Sequence, residues 1–221
     1  NIKKSRIWMK IIVNSFIAHA MKKNPSRNTH LNKGPSKLLE TINSSIDVDQ
    51  RMYKEDIEGS IAHAKMLGRQ KIISKKDEVK IVNGLKVILT NIQKGKVKFK
   101  KELEDIHMNV ESMLFQHIGA TAGKLHTARS RNDQVVTDFK LWIRNNSADL
   151  DKMLQKLQKV LINIAKKHTD TILPGYTHLQ VAQPISLAHY SLAYVEMIGR
   201  DRQRLKNCIE ILKKILLAQV L

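Results

Sequence analysis

One stretch of about 30 residues, from Phe139 to His168, constrains the fold more than any other feature, because its apolar side chains recur every three or four residues. This spacing puts them on one face of a helix, and globular helices usually end within about 20 residues. A longer helix must cover its apolar face along most of its length, so we predict a bundle of long helices. The positions at this spacing are Phe139, Trp142, Ile143, Asn146, Leu150, Met153, Leu157, Leu161, Ile164 and His168.

Shorter helices are predicted upstream of this stretch. One begins at Ser74, which can cap it, and ends at Gly95. Another runs from Asp105 to Ile118 and ends at Gly119. Between Met52 and Leu67 apolar residues again follow helical spacing, with Gly59 and Gly68 as expected breaks.

No strand pattern is apparent in the chain. We predict that "TDTILPGYTHLQVAQP", residues 169–184, is an extended connector with a turn at Pro174 and Gly175. Pro184 is then expected in the first turn of a helix that continues through Ile198. The fold class is therefore all-α.

The domain prediction has three parts: a basic irregular arm at 1–37, a helical domain at 38–128, and a partial long-helix bundle at 129–221. Residues 1–39 contain nine basic and no acidic side chains, with Pro25, Gly34 and Pro35 among them. Met21 is the expected native start. The predicted boundary between the second and third parts precedes the long helix.

The net charge of +19 allows nucleic acid, an acidic membrane or an anionic substrate as a partner. Aromatic residues make up only 5% of the chain, which leaves few platforms for stacking bases. No apolar run reaches the roughly 18 residues that a membrane helix needs. We therefore expect neither nucleic acid nor membrane as a partner, and favour a small anionic molecule.

The stretch "KLHTARSRNDQVVTDF", residues 124–139, concentrates polar groups at the predicted start of the long helix. Ser130 is a good N-cap, which is sufficient for a plain structural role. The cationic side chains nearby would also attract an anion to the positive end of the helix dipole. Pattern alone leaves both interpretations open. The cations are Lys124, His126, Arg129 and Arg131.

Two further segments carry groups that could take part in chemistry. "GYTHLQVAQP" contains Thr177 and His178, and a histidine can transfer a proton near neutral pH. "DIEGSIAHAKML" places Asp56 and Ser60 on one helix face, with His63 three residues later. We find no cluster of cysteines and histidines with zinc-like spacing and no glycine-rich phosphate loop, so neither metal nor cofactor is expected.

Taken together and in this order, the three segments resemble the argininosuccinate lyases of the fumarase/aspartase superfamily, which also includes the delta-crystallins. The resemblance extends from about Lys33 to Asn207 and rests chiefly on "HTARSRNDQ" and "GYTHLQVAQP". It implies a cytoplasmic homotetramer of long helices with active sites shared between subunits. It also implies β-elimination of argininosuccinate to arginine and fumarate, a step in arginine biosynthesis, without a cofactor. By motif, His178 would be catalytic, and Asn132, Thr177, Ser130 and Arg131 would bind substrate.

The chain departs from that family in three places. Residues 26–31 stand where the family has a Trp-Gly-Gly-Arg-Phe element, and residues 1–20 have no counterpart. After Asn207 the sequence lacks the Gly-Ser-Ser loop that would supply the base and a lysine. We therefore expect a truncated lyase that is inactive alone and leaves apolar helix faces exposed. The alternatives are a non-catalytic, crystallin-like structural or oligomerising protein and, from another class, a basic helical nucleic-acid binder.

Overall fold

The computed structural model of the chain describes residues 42–213. The predicted basic arm at 1–37 lies outside these residues. Within them the chain forms two compact units, residues 42–139 and residues 140–213. The division between Phe139 and Lys140 falls inside a helix, whereas the sequence prediction put the domain boundary ahead of it.

Unit 1, residues 42–139, is built from helices. The three long helices between residues 53 and 118 pack against one another, and their apolar faces meet at the centre of the unit. The α-helices are α1 Ile46–Asp49, α2 Tyr53–Arg69, α3 Lys75–Gln93, α4 Ile106–Ile118 and the start of α5 Arg131–Lys167. This unit also contains 3-10 helices at Gln50–Met52, Lys101–Leu103 and Gly119–His126.

The core of unit 1 follows the helical spacing of its apolar residues. Each long helix contributes a row of side chains that are almost completely excluded from water. Burial of a side chain of this size contributes about 1.5–3 kcal/mol relative to exposure, so the rows hold the helices together. The central residues are Ile57, Ala64 and Leu67 of α2, Ile81, Leu85 and Ile88 of α3, and Ile106, Val110 and Leu114 of α4.

Most of the signals predicted for the starts and ends of helices in unit 1 are confirmed by the structure. Ser74 caps α3 by accepting from the Asp77 amide at 3.1 Å, and Asp105 caps α4 by accepting from Met108 at 2.7 Å. Gly95 and Gly119 follow their helices with φ of 66° and 68°, a conformation that favours glycine.

The predicted break at Gly59 is wrong, because this residue lies inside α2, whereas Gly68 lies at the end of the helix, one residue before Arg69. Their small size is used for packing. A Cβ on Gly59 would lie 2.9 Å from Asp138 Oδ1, and one on Gly68 would overlap the carboxylate of Glu78. Glycine is therefore tolerated in this helix where neighbouring elements approach closely.

Unit 2, residues 140–213, contains the rest of α5, a two-stranded antiparallel sheet and α6 Leu187–Leu212. The predicted long helix is confirmed, since α5 continues to Lys167. Arg202 of α6 donates to Asp151 of α5 at 2.6 Å, and Gln158 donates to the Val195 carbonyl at 2.8 Å. These contacts join the two helices of the unit.

The sheet is a correction to the sequence prediction. β1 Ile172–Thr177 pairs with β2 Gln180–Ser186 where we expected only an extended connector. Gly175 lies at an irregularity in the ladder rather than in the turn, and Pro184 belongs to β2 rather than to a helix. Helix α6 begins three residues later, after Ser186 accepts from the His189 amide at 3.1 Å.

Apolar side chains of α5 and α6 remain exposed in unit 2, as predicted for helix faces that lack partners. Among them Met153 is 66% exposed and Val160 54%. None of the helices within residues 42–213 is both long and apolar enough to span a membrane. The other exposed apolar residues in these helices include Leu150, Leu157, Ile164, Tyr190, Leu192, Tyr194 and Met197.

Candidate functional site

The start of α5 has the capping geometry expected from its sequence. Oγ of Ser130 accepts from the amide of Asn132 at 3.2 Å, and the Ser130 carbonyl accepts from the Gln134 amide at the same distance. Ser130 and Asn132 are exposed, whereas Arg131 is half-buried. Two of the three predicted substrate-binding residues in this segment are therefore open to solvent.

Carboxylates of the chain itself pair with three of the four cations near this helix start. Nζ of Lys124 lies 2.6 Å from Asp77, while Nε2 of His126 and Nη2 of Arg131 lie 3.2 Å and 3.4 Å from Oε2 of Glu111. The cations thus have negative partners without an external anion. This arrangement supports the plain structural interpretation and requires any ligand to compete with Glu111.

The pKa values of these carboxyl groups reflect the pairing. Burial of Glu111 opposes ionisation, but the hydrogen bond from His126 and the charges of His126 and Arg131 hold its pKa below the usual range. The hydrogen bond from Lys124 likewise lowers the pKa of Asp77. Both groups are therefore anionic at neutral pH.

The fourth cation, Arg129, is largely buried. Its Nη1 donates to Oγ of Ser60 at 3.2 Å, but its Nε and Nη2 are buried with no hydrogen-bond partner among the described residues. Burial lowers the pKa of the guanidinium, and the nearby charges of Asp56 and Asp138 oppose that effect. Arg129 thus lies in the field of nearby carboxyl groups, Asp56 first among them, without a direct ion pair among the described residues.

Those carboxyl groups belong to a buried polar cluster formed by α2, α4 and α5. Nδ1 of His107 lies 3.0 Å from Oδ1 of Asp56 and 3.4 Å from Oδ2 of Asp138. Nε2 of Gln134 donates to the same Oδ1 of Asp56 at 2.5 Å. All four side chains are buried.

The pKa values of the two aspartates in this cluster are shifted in opposite directions. Burial works against ionisation of Asp56, but hydrogen bonds from His107 and Gln134 outweigh it and lower the pKa. Burial, the charge of Asp56 and a hydrogen bond to it raise the pKa of Asp138 to about 9. Two carboxyl groups in contact away from water cannot both ionise readily, so their acidities separate.

Among residues 42–213 the same trio, Asp56, His107 and Asp138, also meets a geometric requirement for metal binding. One ligand atom from each lies within 4.8 Å of the others. A divalent ion would add two positive charges beside the guanidinium of Arg129, however, and one proton would balance the cluster instead. The negative charge of Asp56 and the positive charge of Arg129 then cancel.

Sequence reasoning found only part of this cluster. Asp56 and Ser60 share one helix face in the sequence pattern, with His63 three residues later, and Nε2 of His63 donates to the carbonyl of Thr127 at 3.0 Å. His107, Gln134 and Asp138 were missed. The available signal was the four-residue spacing of Gln134 and Asp138, which puts two polar side chains on one face of α5 between apolar neighbours.

The other predicted site residues lie at the turn of the hairpin in unit 2. Thr177 pairs with Gln180, which leaves His178 and Leu179 as a two-residue loop with φ of 50° and 63°. Two left-handed residues are what a tight hairpin turn of this kind requires. Thr177 and His178 are both exposed. The structure thus groups the predicted residues into two sets, 130–132 in unit 1 and 177–178 in unit 2.

Comparison with known proteins finds a matching family model and sequence relatives that include argininosuccinate lyases. A family model described as a lyase matches residues 35–220. Argininosuccinate lyase of Bartonella bacilliformis is 52% identical over 177 residues, which cover 80% of this chain and 38% of the relative. Argininosuccinate lyase of Ehrlichia chaffeensis is 53% identical over 182 residues, which cover 82% and 39%. The chain therefore spans well under half the length of these relatives.

Solved structures agree at the level of the fold. An EDDS lyase variant with bound fumarate has a TM-score of 0.65 and 25% identity, covering 75% of this chain and 32% of that one. A fumarate lyase:delta crystallin from Brucella melitensis has a TM-score of 0.67 and 16% identity, covering 83% and 48%. The helical architecture is that of fumarase/aspartase-type lyases, and because the family model matches most of its length, the chain belongs to this lyase family.

Proposed function

We propose that the chain forms part of an argininosuccinate lyase, which splits argininosuccinate into arginine and fumarate in arginine biosynthesis. The observation that carries the proposal is the 52% identity over 177 residues to an enzyme of that name. We further propose that the active assembly is a cytoplasmic homotetramer whose active sites combine residues of several subunits. No cofactor is needed for the reaction.

The reaction is a β-elimination. A base removes a proton from the carbon next to a carboxylate, charge accumulates on that carboxylate, and a protonated group assists departure of the guanidinium nitrogen. Arg131 offers a planar fork of donors suited to a carboxylate, and the N-terminus of α5 adds a positive dipole. The exposed Ser130 and Asn132 can supply further hydrogen bonds to the substrate. In this role they stabilise the charge that develops during elimination.

We assign the proton-transfer role to His178 and a substrate contact to Thr177. A histidine changes its charge near neutral pH and can hold or release a proton in such a step. Its position in a two-residue turn supports the assignment, because the side chain is exposed. By contrast, the buried His107 is engaged by Asp56 and is unsuited to contact a substrate.

A chimaera tests the proposal with the chain in the context of a full-length relative. Residues 42–213 replace the corresponding segment of the Bartonella bacilliformis enzyme, and fumarate release from argininosuccinate is measured. We expect turnover by the chimaera and none by the 221 residues alone, which match only 38% of that relative. A folded, oligomeric chimaera without turnover would contradict the proposal and favour a non-catalytic, crystallin-like role.

His178→Ala within the active chimaera tests the assigned proton transfer. We expect at least a hundredfold loss of kcat, since general acid–base catalysis contributes about 10²–10⁴-fold. His189→Ala is the matched control, because His189 is also exposed in unit 2 and has no assigned role. Equal activity of the two variants would remove His178 from the mechanism.

A further inference from the structure

Three oxygens in the buried cluster of unit 1 lack a donor, the amide Oε1 of Gln134 and two carboxylate oxygens. Oδ2 of Asp56 and Oδ2 of Asp138 are both buried and have no hydrogen-bond partner among the described residues. Both residues are almost completely excluded from bulk solvent, at 1% and 2% exposed. A buried acceptor without a donor costs about 1–3 kcal/mol, and an ionised one costs more.

The donors around the pair are already committed. His107 and Gln134 both point a nitrogen at Oδ1 of Asp56, at 3.0 Å and 2.5 Å. Nδ1 is also the imidazole atom that lies nearest Asp138, at 3.4 Å. A second proton on His107 would go to Nε2 and would give neither Oδ2 atom a donor.

We propose that Asp138 is a neutral carboxylic acid that donates its proton to Asp56, so that the pair carries one negative charge opposite Arg129. Ligand atoms of the two aspartates lie within 4.8 Å of each other, so a single proton between the two carboxyl groups can give a partner to an orphaned oxygen of each. It also sets the single negative charge of the pair against the positive charge of Arg129. This inference is independent of the proposed lyase activity.

The shared proton makes the junction of α2, α4 and α5 sensitive to alkali. Glu55 and Asp56 of α2 disfavour ionisation of Asp138, Arg129 favours it, and His107 of α4 faces both aspartates. Loss of the proton would leave two adjacent buried anions, which repel each other. Asp138 then acts as a positioning residue: its proton holds Asp56, and the negative charge of Asp56 holds Arg129.

Infrared spectroscopy of the full chain tests the protonation state directly. A protonated carboxylic acid has a carbonyl stretch well separated from that of a carboxylate. At pH 7 we expect one such band in the wild-type chain, with an isotope shift when aspartate carries ¹³C. The band should disappear in Asp138→Asn. It should persist in Glu111→Gln, which removes a carboxyl group whose pKa is lowered rather than raised.

The pH dependence of unfolding provides a second readout. Asp138 has an ordinary pKa of 3.8 when unfolded and about 9 when folded, so the folded chain holds one extra proton between these values. The stabilisation is complete below the lower value and declines as pH rises towards the upper one. The unfolding constant of wild type relative to Asp138→Asn should therefore rise about tenfold per pH unit between about pH 5 and 8.

Two results would overturn the inference. One is a wild-type spectrum at pH 7 without an aspartic acid band, a measurement that needs no folded variant. The other is a band that survives in folded Asp138→Asn, because the proton would then reside on another group.

Discussion

Nδ1 of His107 lies 3.0 Å from Oδ1 of Asp56, and both side chains are at most 1% exposed. Removing one partner of such a pair leaves the other buried with a hydrogen-bonding group unsatisfied. We expect His107→Ala to lower the free energy of unfolding by about 3 kcal/mol, measured by urea denaturation. His117→Ala is the control on the same helix, where the side chain is exposed, and should stay within about 0.5 kcal/mol of wild type. Equal losses in both variants would contradict a special role for His107.

Gly84 allows α3 and α4 to approach each other. A Cβ at this position would lie 2.8 Å from Cδ1 of Leu114 and 3.1 Å from Cγ2 of Ile118, and both neighbours are buried. We expect Gly84→Ala to destabilise the chain by about 1–3 kcal/mol in urea denaturation despite the better helix propensity of alanine.

Gly199→Ala is the matched control for that substitution. Its Cβ would meet only Nε2 of Gln158, at an ordinary 3.5 Å. Alanine should therefore stabilise α6 by about 0.5–1 kcal/mol through its lower backbone entropy. A destabilising effect of the same size at both glycines would show that close helix approach is not the cause.

The helices were predictable because their signals are local. The caps at Ser74, Asp105 and Ser130 act within three residues, and apolar spacing alone identifies the long helix α5. Glycines were less informative. The predicted break at Gly59 is wrong because its sequence neighbours do not reveal that Asp138, far along the chain, occupies the space of its Cβ.

The hairpin was missed for a related reason. Its turn residues, His178 and Leu179, both adopt positive φ. Neither is a glycine, asparagine or aspartate, the residue types that predict such a turn. Pro184 in β2 also argued against a strand, although proline is tolerated where a strand has a free edge. In a two-stranded sheet each strand has one such edge.

Only the site residues that belong to short sequence motifs were predictable. The sets at 130–132 and 177–178 came from short segments, whereas the cluster of Asp56, His107 and Asp138 brings together three distant parts of the chain. The sequence left open whether the cations near Ser130 bind an outside anion. It could not show that Glu111, on another helix, already pairs with two of them.

The pKa of His63 offers a probe of the charge on Arg129. Burial lowers this pKa, and the positive charge of Arg129 lowers it further. We expect Arg129→Gln to raise the pKa of His63 towards its ordinary value, measured by NMR titration of the imidazole. Lys65→Gln is the control, since it removes a cation from the exposed face of the same helix. An unchanged pKa in Arg129→Gln would mean that burial alone sets it.

The lowered pKa of His63 also has a consequence for stability. The unfolded chain binds a proton at this residue more readily than the folded chain does, so unfolding is favoured as pH falls below about 6.5. The stabilisation is present above that value and is lost as pH falls through the folded pKa. In urea denaturation His63→Gln should show a shallower loss of stability between about pH 6.5 and 5 than wild type. A loss as steep as that of wild type would assign the effect to other groups.

Glu111 should compete with any anion that binds at the start of α5, because its Oε2 lies 3.4 Å from Nη2 of Arg131. Glu111→Gln removes that charge, and we expect fumarate to bind more tightly by about tenfold, which corresponds to about 1.4 kcal/mol. The measurement is an NMR titration followed at the Asn132 amide. Glu58→Gln makes the same charge change at an exposed pair with Lys54 and should alter affinity less than about twofold, because exposed charges are screened. Weaker binding in Glu111→Gln would mean that Glu111 organises Arg131 for the ligand instead of competing with it.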